Sequence, residues 1–338
     1  MNETSLKAVV INNPKESVIC AVLNEDYLFF ALENDFRIHQ QVLKANLPPL
    51  NLPQVTGNVI SLILRKKYIL ITTQSQILIF NLVNSQTTML IFFRDIGIIP
   101  VSTSIHSTQS MDIVAVFGLN LQNSYTIFFG VDPELQKEIT KFQQFKLQST
   151  LSHSAFLASA TEKDGNFTVL ILYASQKQYI QGLEIDIIID SVSRQNTGQS
   201  TLTYKTSVQV RKFNEIAFQF SGDAKSGLCM SKPKSSIFTD WGKPDSDSLV
   251  VLEVNQIIRF YKVVQDSICI ITENCDFYML KLDEFNQESQ KIKTREYQTE
   301  LKHLKDLSYE VRRLKGRFLD CQINTEGEIV LVLTQDKK

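Results

Sequence analysis

Asp26 to His39 reads DYLFFALENDFRIH, Lys67 to Phe80 reads KYILITTQSQILIF, and Ser267 to Leu280 reads SICIITENCDFYML. Each is an apolar run, a polar turn, and a second apolar run opened by an acidic or amide residue. Aligned without gaps, they bring Tyr27, Tyr68 and Ile268 together, and Asp35, Gln76 and Asp276 together at the turn exit. Short runs rich in Ile, Leu, Phe and Thr around a polar turn read as β-hairpins. The copies begin at positions 26, 67 and 267, which fits a period of roughly 40 residues with about five periods between the second and third. A repeated β-unit therefore organises the chain.

At 338 residues the chain exceeds the size of a single hydrophobic core, so it is either two domains or one repeat array, and the repeats favour the array. Its 43% hydrophobic content supports a large core, and 21% charged residues with a net charge of −1 are ordinary for a folded domain. No global field recommends nucleic acid or an anionic membrane as the main partner. The five cysteines, Cys20, Cys229, Cys269, Cys275 and Cys321, are odd in number and lack CxxC spacing. Cys269 and Cys275 lie in strand-like text, where they are expected as small buried apolar groups. A reducing, intracellular setting, cytoplasmic or nuclear, is the simplest expectation. The N-terminus MNETSLKAVV has an acidic residue where a signal peptide would be basic and no long apolar core, so secretion by that route is not expected, and the longest apolar stretches are too short to span a bilayer as helices.

From Val18 to Leu282 most of the text reads as strands of four to eight residues. Expected hairpins are Asp112 to Gly118 with Ser124 to Gly130, joined through Asn120 to Asn123, and Phe167 to Tyr173 with Gln178 to Ile185. Asp164-Gly165 supplies a tight turn just before the second pair. Further strands are expected at Ile216 to Phe220, and Leu249 to Glu253 is expected to pair with Ile257 to Val263. Inner hairpins near residues 27, 68, 113, 169, 216, 268 and 329 give seven units, with six as the alternative count. The last, Glu328 to Thr334, ends before a second apolar run. Leu6 to Ile11 is a lone strand-like segment suited to pairing with that last unit, since an open edge leaves backbone groups unpaired.

Two segments break the β-rhythm. Ser221 to Ser248 (SGDAKSGLCMSKPKSSIFTDWGKPDSDS) has the composition of an inserted surface loop. It holds the only tryptophan, Trp241, which is either a plug against the sheets or a partner anchor. The second, about residues 287 to 317, places Tyr297, Leu301, Leu304, Leu307, Val311 and Leu314 at spacings of three and four, which predicts an amphipathic helix inserted before the last strand unit. Packing against the body of the protein and docking to a partner both suit such a helix. Arg312, Arg313, Lys315 and Arg317 gather at its end, where cations complement the helix dipole. They are also candidate phosphate contacts for RNA or DNA.

Catalytic patterns are not evident. His39, His106, His153 and His303 have no metal-ligand spacing and are expected in turns or at the surface. No phosphate-cradling glycine motif or nucleophile elbow occurs. Glu184 and Asp186 alternate with Ile185 and Ile187, which predicts a solvated acidic face on one side of a strand and a buried face on the other. No catalytic, cofactor-binding or metal-binding residue is assigned, and no cofactor or small-molecule substrate is indicated.

The segment Thr72 to Leu82, TTQSQILIFNL, resembles the end of a WD40 repeat, in which a small-residue turn leads into an apolar strand and a Trp-Asp pair. Phe80 and Asn81 stand at the Trp-Asp positions here, Leu280 and Lys281 in the third copy, and His39 and Gln40 in the first. The Gly-His dipeptide of such repeats is missing. The resemblance covers the β-rich body and implies an all-β fold: a single β-propeller over residues 1 to 338, of seven blades or six. Two stacked β-sandwiches are the alternative fold. A propeller of this kind implies a rigid, non-enzymatic scaffold subunit that docks other proteins of a larger assembly. Trp241, Tyr297, Leu301, Leu304 and Val311 are the candidate partner-binding residues. A nucleic-acid-binding propeller acting through Arg312, Arg313, Lys315 and Arg317 is the alternative.

Overall fold

The protein is described by a computed structural model. The structure describes residues 18–121, 123–147, 150–175, 179–189, 200–212, 219–223, 227–231, 235–239, 250–253, 257–264, 267–281, 302–303, 308–309, 316–323 and 329–335. By its contacts the chain divides into two compact units, Met1–Met89 and Leu90–Lys338.

In the first unit, β1 (Val18–Leu23), β2 (Tyr27–Leu32) and β3 (Ile38–Val42) form a three-stranded antiparallel sheet in chain order. β4 (Val59–Leu64), β5 (Tyr68–Thr73), β6 (Gln76–Asn81) and β7 (Thr87–Phe92) form the next, and β7 runs across the boundary between units. β1 lies beside β4. The core between the two sheets includes Phe29, Ile38, Leu62, Ile69 and Phe80. Every residue of β5 is buried, so both faces of that strand are covered. This explains why its text, YILITT, is a nearly continuous apolar run and not an alternating one.

The segment between β3 and β4 cannot add a fourth strand to the first sheet, because Pro48, Pro49 and Pro53 lack backbone donors. Side chains hold it instead. The Gln40 amide donates to Leu50 O at 2.5 Å and accepts from Leu50 N at 3.0 Å. Tyr27 OH donates to Pro48 O at 3.0 Å.

In the second unit, β8 (Ile99–Ser107), β9 (Asp112–Asn120), β10 (Asn123–Val131) and β11 (Thr140–Lys146) form the third sheet, entered through the short helix α1 (Phe93–Ile96). The fourth contains β12 (Leu151–Lys163), β13 (Asn166–Ser175), β14 (Tyr179–Ile189) and β15 (Ser200–Lys212). The fifth contains β16 (Gln219–Asp223), β17 (Gly227–Ser231), β18 (Ser235–Thr239) and β19 (Val250–Glu253). The sixth contains β20 (Ile258–Val264), β21 (Ser267–Thr272), β22 (Phe277–Lys281) and β23 (Lys302–His303). β24 (Gly316–Ile323) and β25 (Ile329–Gln335) make a two-stranded seventh. First strands again adjoin: β8 lies beside β12, β12 beside β16, β16 beside β20 and β20 beside β24. Among the described residues the chain is thus almost wholly β, in consecutive antiparallel meanders, as the sequence predicts.

One device recurs in the first strand of these sheets. Pairing with the second strand skips one residue at Ile19, Ile60, Val101, Ala158, Arg259 and Leu319. Each is a β-bulge, which adds twist and leaves its extra residue outside the ladder. The first three recur at equal intervals. The segments VICAVL and VISLIL that carry the first two match closely, a signal the hairpin alignment passes over.

Several expectations are met in detail. Asp112 to Val131 is the expected hairpin, and Phe167 pairs with Ile187 through to Ala174 with Ile180. Asp164 and Gly165 both have positive φ, 53° and 77°, the backbone of a type I′ turn that suits the right-handed strand twist. Ile185 and Ile187 are fully buried, while Glu184 and Asp186 are half-buried on the other face. Asp186 accepts a hydrogen bond from Thr168 Oγ1 at 2.6 Å.

Others are corrected. The gapless alignment of the three hairpins does not carry into their second strands: Tyr27 pairs with Val42, Tyr68 with Asn81 and Ile268 with Leu280. The turns differ in length, and register follows the turn. Leu249 to Glu253 and Ile257 to Val263 do not pair, since β19 closes one sheet on β18 and β20 opens the next on β21. Ser221 to Ser248 is not one long loop. Its short apolar groups Leu228–Met230 and Ile237–Phe238 lie in β17 and β18, which pair with each other.

The stretch 287 to 317 is not one helix. Lys302 and His303 pair with Met279 and Tyr278 as an edge strand, and Gly316 and Arg317 open β24, whereas Ser308 and Tyr309 are helical. Backbone pairing to a waiting sheet edge overrides the three-four stripe. The lone segment Leu6 to Ile11 lies outside the described residues.

Gly118 in β9 is required by close approach. A Cβ there would overlap Ile98 Cγ2 and stand 2.8 Å from Ile99 O, and backbone cannot give way cheaply. Gly118→Ala is therefore expected to destabilise the protein by at least about 2 kcal/mol, measured by urea unfolding with an unchanged m-value.

Candidate interaction surface

In an antiparallel meander the first and second turns lie at opposite ends of the sheet. In the third sheet those ends are built differently. At the first-turn end, the β8–β9 turn is fastened to the neighbouring fourth sheet. Glu162, near the end of β12, accepts from Ser110 N at 2.9 Å, and Thr108 Oγ1 lies 3.0 Å from the same carboxylate oxygen. Burial acts to raise the Glu162 pKa, but the hydrogen bonds from Ser110 and Thr108 outweigh it and hold the carboxyl below the usual glutamate range. Asp132, in the β10–β11 turn at this same end, accepts from the amides of Glu134, Gln136 and Lys137 at 3.0–3.1 Å. These bonds likewise prevail over desolvation and depress its pKa. The seam between the two sheets is closed further along by Ser102 Oγ donating to Ala155 O at 2.8 Å and by Leu151 N donating to Ser124 Oγ at 2.6 Å.

The second-turn end presents apolar side chains to solvent. Gly97, with φ of 63°, ends α1 and turns the chain into β8. Ile98 is buried and Ile99 is 71% exposed. Ile99 pairs with Leu119, so its side chain stands beside the β9–β10 turn. That turn carries Leu121, 96% exposed, with φ of 51°.

The residue departs from expectation in two ways. A left-handed backbone is disfavoured for a branched apolar residue by roughly 1–2 kcal/mol and is ordinarily given to Gly, Asn or Asp. Full exposure then leaves the leucine without a packing return. By contrast Leu135, also left-handed, is half-buried. The first sheet repeats the arrangement within its own unit: bulged Ile19 at the start of β1 is 37% exposed, and Phe36 in its second turn is 55% exposed. Sheet two is polar there, with Thr73 Oγ1 accepting from the Ser75 and Gln76 amides at 3.1 and 3.0 Å.

Trp241, Tyr297, Leu301, Leu304 and Val311 lie outside the described residues, as do Arg312, Arg313 and Lys315. Arg317 is corrected from a helix end to a strand, where it pairs with Thr334 in β24–β25. The histidines are strand residues and not turn residues: His39, His106, His153 and His303 lie in β3, β8, β12 and β23. His39 Nε2 lies 2.8 Å from Asp35 Oδ2, and the ring stacks on Phe30. Cys269 is buried in β21 as expected, whereas Cys275 is half-buried in the following turn with φ of 60°. Among the described residues no group of three His, Cys, Asp or Glu is placed to hold a metal ion, and no helix is long and apolar enough to cross a membrane.

Sequence reasoning missed Ile99 and Leu121, although a signal was present. In Asn120-Leu121-Gln122-Asn123, a leucine occupies a turn that amides would fill without cost.

Antiparallel meanders in series, five of them four-stranded, with first strands adjoining within each unit, are the sheet organisation of β-propeller blades. The sequence matches no protein-family model and no curated protein. Among solved structures it is similar to the AfRom2 CNH domain, with 8% identity, 96% of each chain covered and a TM-score of 0.46. It is similar to Sqt1 of Saccharomyces cerevisiae, with 10% identity, 79% of this chain and 83% of that one covered and a TM-score of 0.46. It is also similar to a complex of KlAtg21 with the coiled coil of AgAtg16, with 13% identity, 79% and 77% covered and a TM-score of 0.41.

A carboxylate whose pKa is lowered by folding stabilises the protein above its unfolded pKa, and that contribution disappears as pH falls through the folded value. Glu162→Gln should therefore lower stability at neutral pH, by less than about 1 kcal/mol because solvent screens the half-exposed group. The difference from wild type should shrink as pH falls below the ordinary glutamate range and vanish once the folded carboxyl is protonated. Denaturant midpoints of both proteins between neutral and acidic pH check this.

Proposed function

We propose that the protein is a non-enzymatic interaction scaffold, a subunit of a multiprotein assembly, that docks a protein partner on the second-turn end of its third sheet. The observation that carries this reading is Leu121. It combines an unfavourable backbone conformation with an almost fully exposed apolar side chain, a pair of costs that folding alone does not explain and that burial against a partner offsets. Ile99 beside it extends the apolar contact, and the fastened opposite end holds the sheet rigid, so little ordering cost falls on binding. Apolar docking of this kind resists salt, whereas phosphate binding by basic residues weakens steeply with it.

Leu121→Asn separates function from folding. The substitution suits the left-handed turn, so the isolated protein should become more stable by about 0.5–1 kcal/mol. Proteins captured from native cells at high salt by the wild-type protein should be depleted from the Leu121→Asn and Ile99→Ser captures. Equal capture by all three, or a stability loss in Leu121→Asn, would remove the basis for this site.

A further inference from the structure

The run Tyr68–Phe93 contains no Asp, Glu, Lys, Arg or His, in a chain where 21% of residues are charged. It spans β5, β6 and β7, and among the described residues β7 is an edge strand of the second sheet. The outer strands β3, β11, β15, β19 and β23 are guarded against pairing with a further chain, whereas β25, in the two-stranded sheet, is uncharged as β7 is. β3 has the proline-bearing segment bound to it through Gln40 and Leu50. β11 exposes Lys141 and Lys146 and is interrupted by a register shift. β15 is broken by two register shifts and includes Lys205, Arg211 and Lys212. β19 has four residues and ends in Glu253, and β23 is only Lys302–His303. Charges, irregularities and short length are the usual means of blunting an edge.

β7 has no charge of its own. Thr87, Thr88 and Met89 are exposed in succession, and the preceding turn also exposes Val83. That turn is firmly built: Asn81 Oδ1 accepts from Val83 N at 2.8 Å, and Asn81 N donates to Gln86 O at 2.8 Å. The chain is thus delivered to the edge in a fixed, extended conformation.

We infer that β7 pairs with β7 of a second copy of this chain, antiparallel and centred on Thr88. Charge selects this occupant. Two copies of the edge meet with no like charges, whereas two β11 edges would bring lysines together. An antiparallel pair is also self-complementary about a two-fold axis, which sets Thr87 of one copy against Met89 of the other and Thr88 against Thr88. Cross-strand threonine pairs are favourable, and pairing at a sheet edge adds a backbone ladder.

The experiment is sedimentation of the purified full-length protein over a wide concentration range, with Thr88→Lys, Met89→Lys and Val83→Lys beside it. Wild type is expected to reach a reversible monomer–dimer equilibrium. Thr88→Lys and Met89→Lys should associate at least about tenfold more weakly, with unchanged thermal unfolding, because both side chains are exposed. Val83→Lys should still dimerise. Thr88→Cys should form a disulfide-linked dimer under mild oxidation that wild type does not form, a readout that stands even if a lysine variant unfolds. A wild type monomeric at every concentration, or a dimer indifferent to Thr88→Lys and lost through Val83→Lys, overturns the proposal. So does a Thr88→Cys protein that fails to cross-link.

Discussion

An extra residue in the first strand of a sheet is the constraint on which the other features depend. At Ile19, Ile60, Val101, Ala158, Arg259 and Leu319 the first strand gains one residue on its partner. A bulge re-aims the side chains that flank it and bends the strand. Beyond it, alternation resumes in opposite phase, so a first strand offers one face to its own sheet's core and a different set of residues to the adjoining first strand. Ser102, immediately after a bulge, shows the consequence: its hydroxyl reaches Ala155 O of β12 in the next sheet. The fifth sheet pairs its first two strands without this shift.

The two ends of a sheet inherit different duties from that asymmetry. At the first-turn end of the third sheet, carboxylates of Glu162 and Asp132 collect backbone amides, so turns that would otherwise fray are fixed. At the bulged end the ladder is already irregular, and chain entry at Gly97 and Ile99 lies near a turn that folding leaves free to vary. Leu121 sits where substitution costs the fold least, since neither its side chain nor its backbone conformation supports packing. A rigid sheet with one committed end and one free end suits recognition better than chemistry.

Much of the fold was legible because strands and turns leave local marks. Asp164-Gly165 announces its turn by residue type alone, and the alternation of Glu184, Ile185, Asp186 and Ile187 gives the buried face directly. Register was not legible. It depends on turn length and on single-residue insertions, which move every later side chain without changing composition, so hairpins aligned without gaps at Tyr27, Tyr68 and Ile268 pair differently. Composition misled at Ser221–Ser248, where short strands such as Leu228–Met230 are outnumbered by polar neighbours. Periodicity misled at Lys302–His303, where an available sheet edge decides the backbone. The candidate surface was missed for another reason: an exposed leucine is recognised only against the conformation of the turn that carries it.

The distribution of charge along the chain adds a separate argument. Charged side chains at strand edges oppose pairing with other chains, and β11 and β15 carry them where they are needed. Their absence from Tyr68–Phe93 is not a requirement of the core, because Val83, Thr87, Thr88 and Met89 are exposed and could be lysine or glutamate without loss of packing. Uncharged strand edges also raise the risk of aggregation in partly folded states. An edge left without charge, where β3, β11, β15, β19 and β23 are guarded by charge, by bulge, by short length or by a bound segment, suits pairing with another strand.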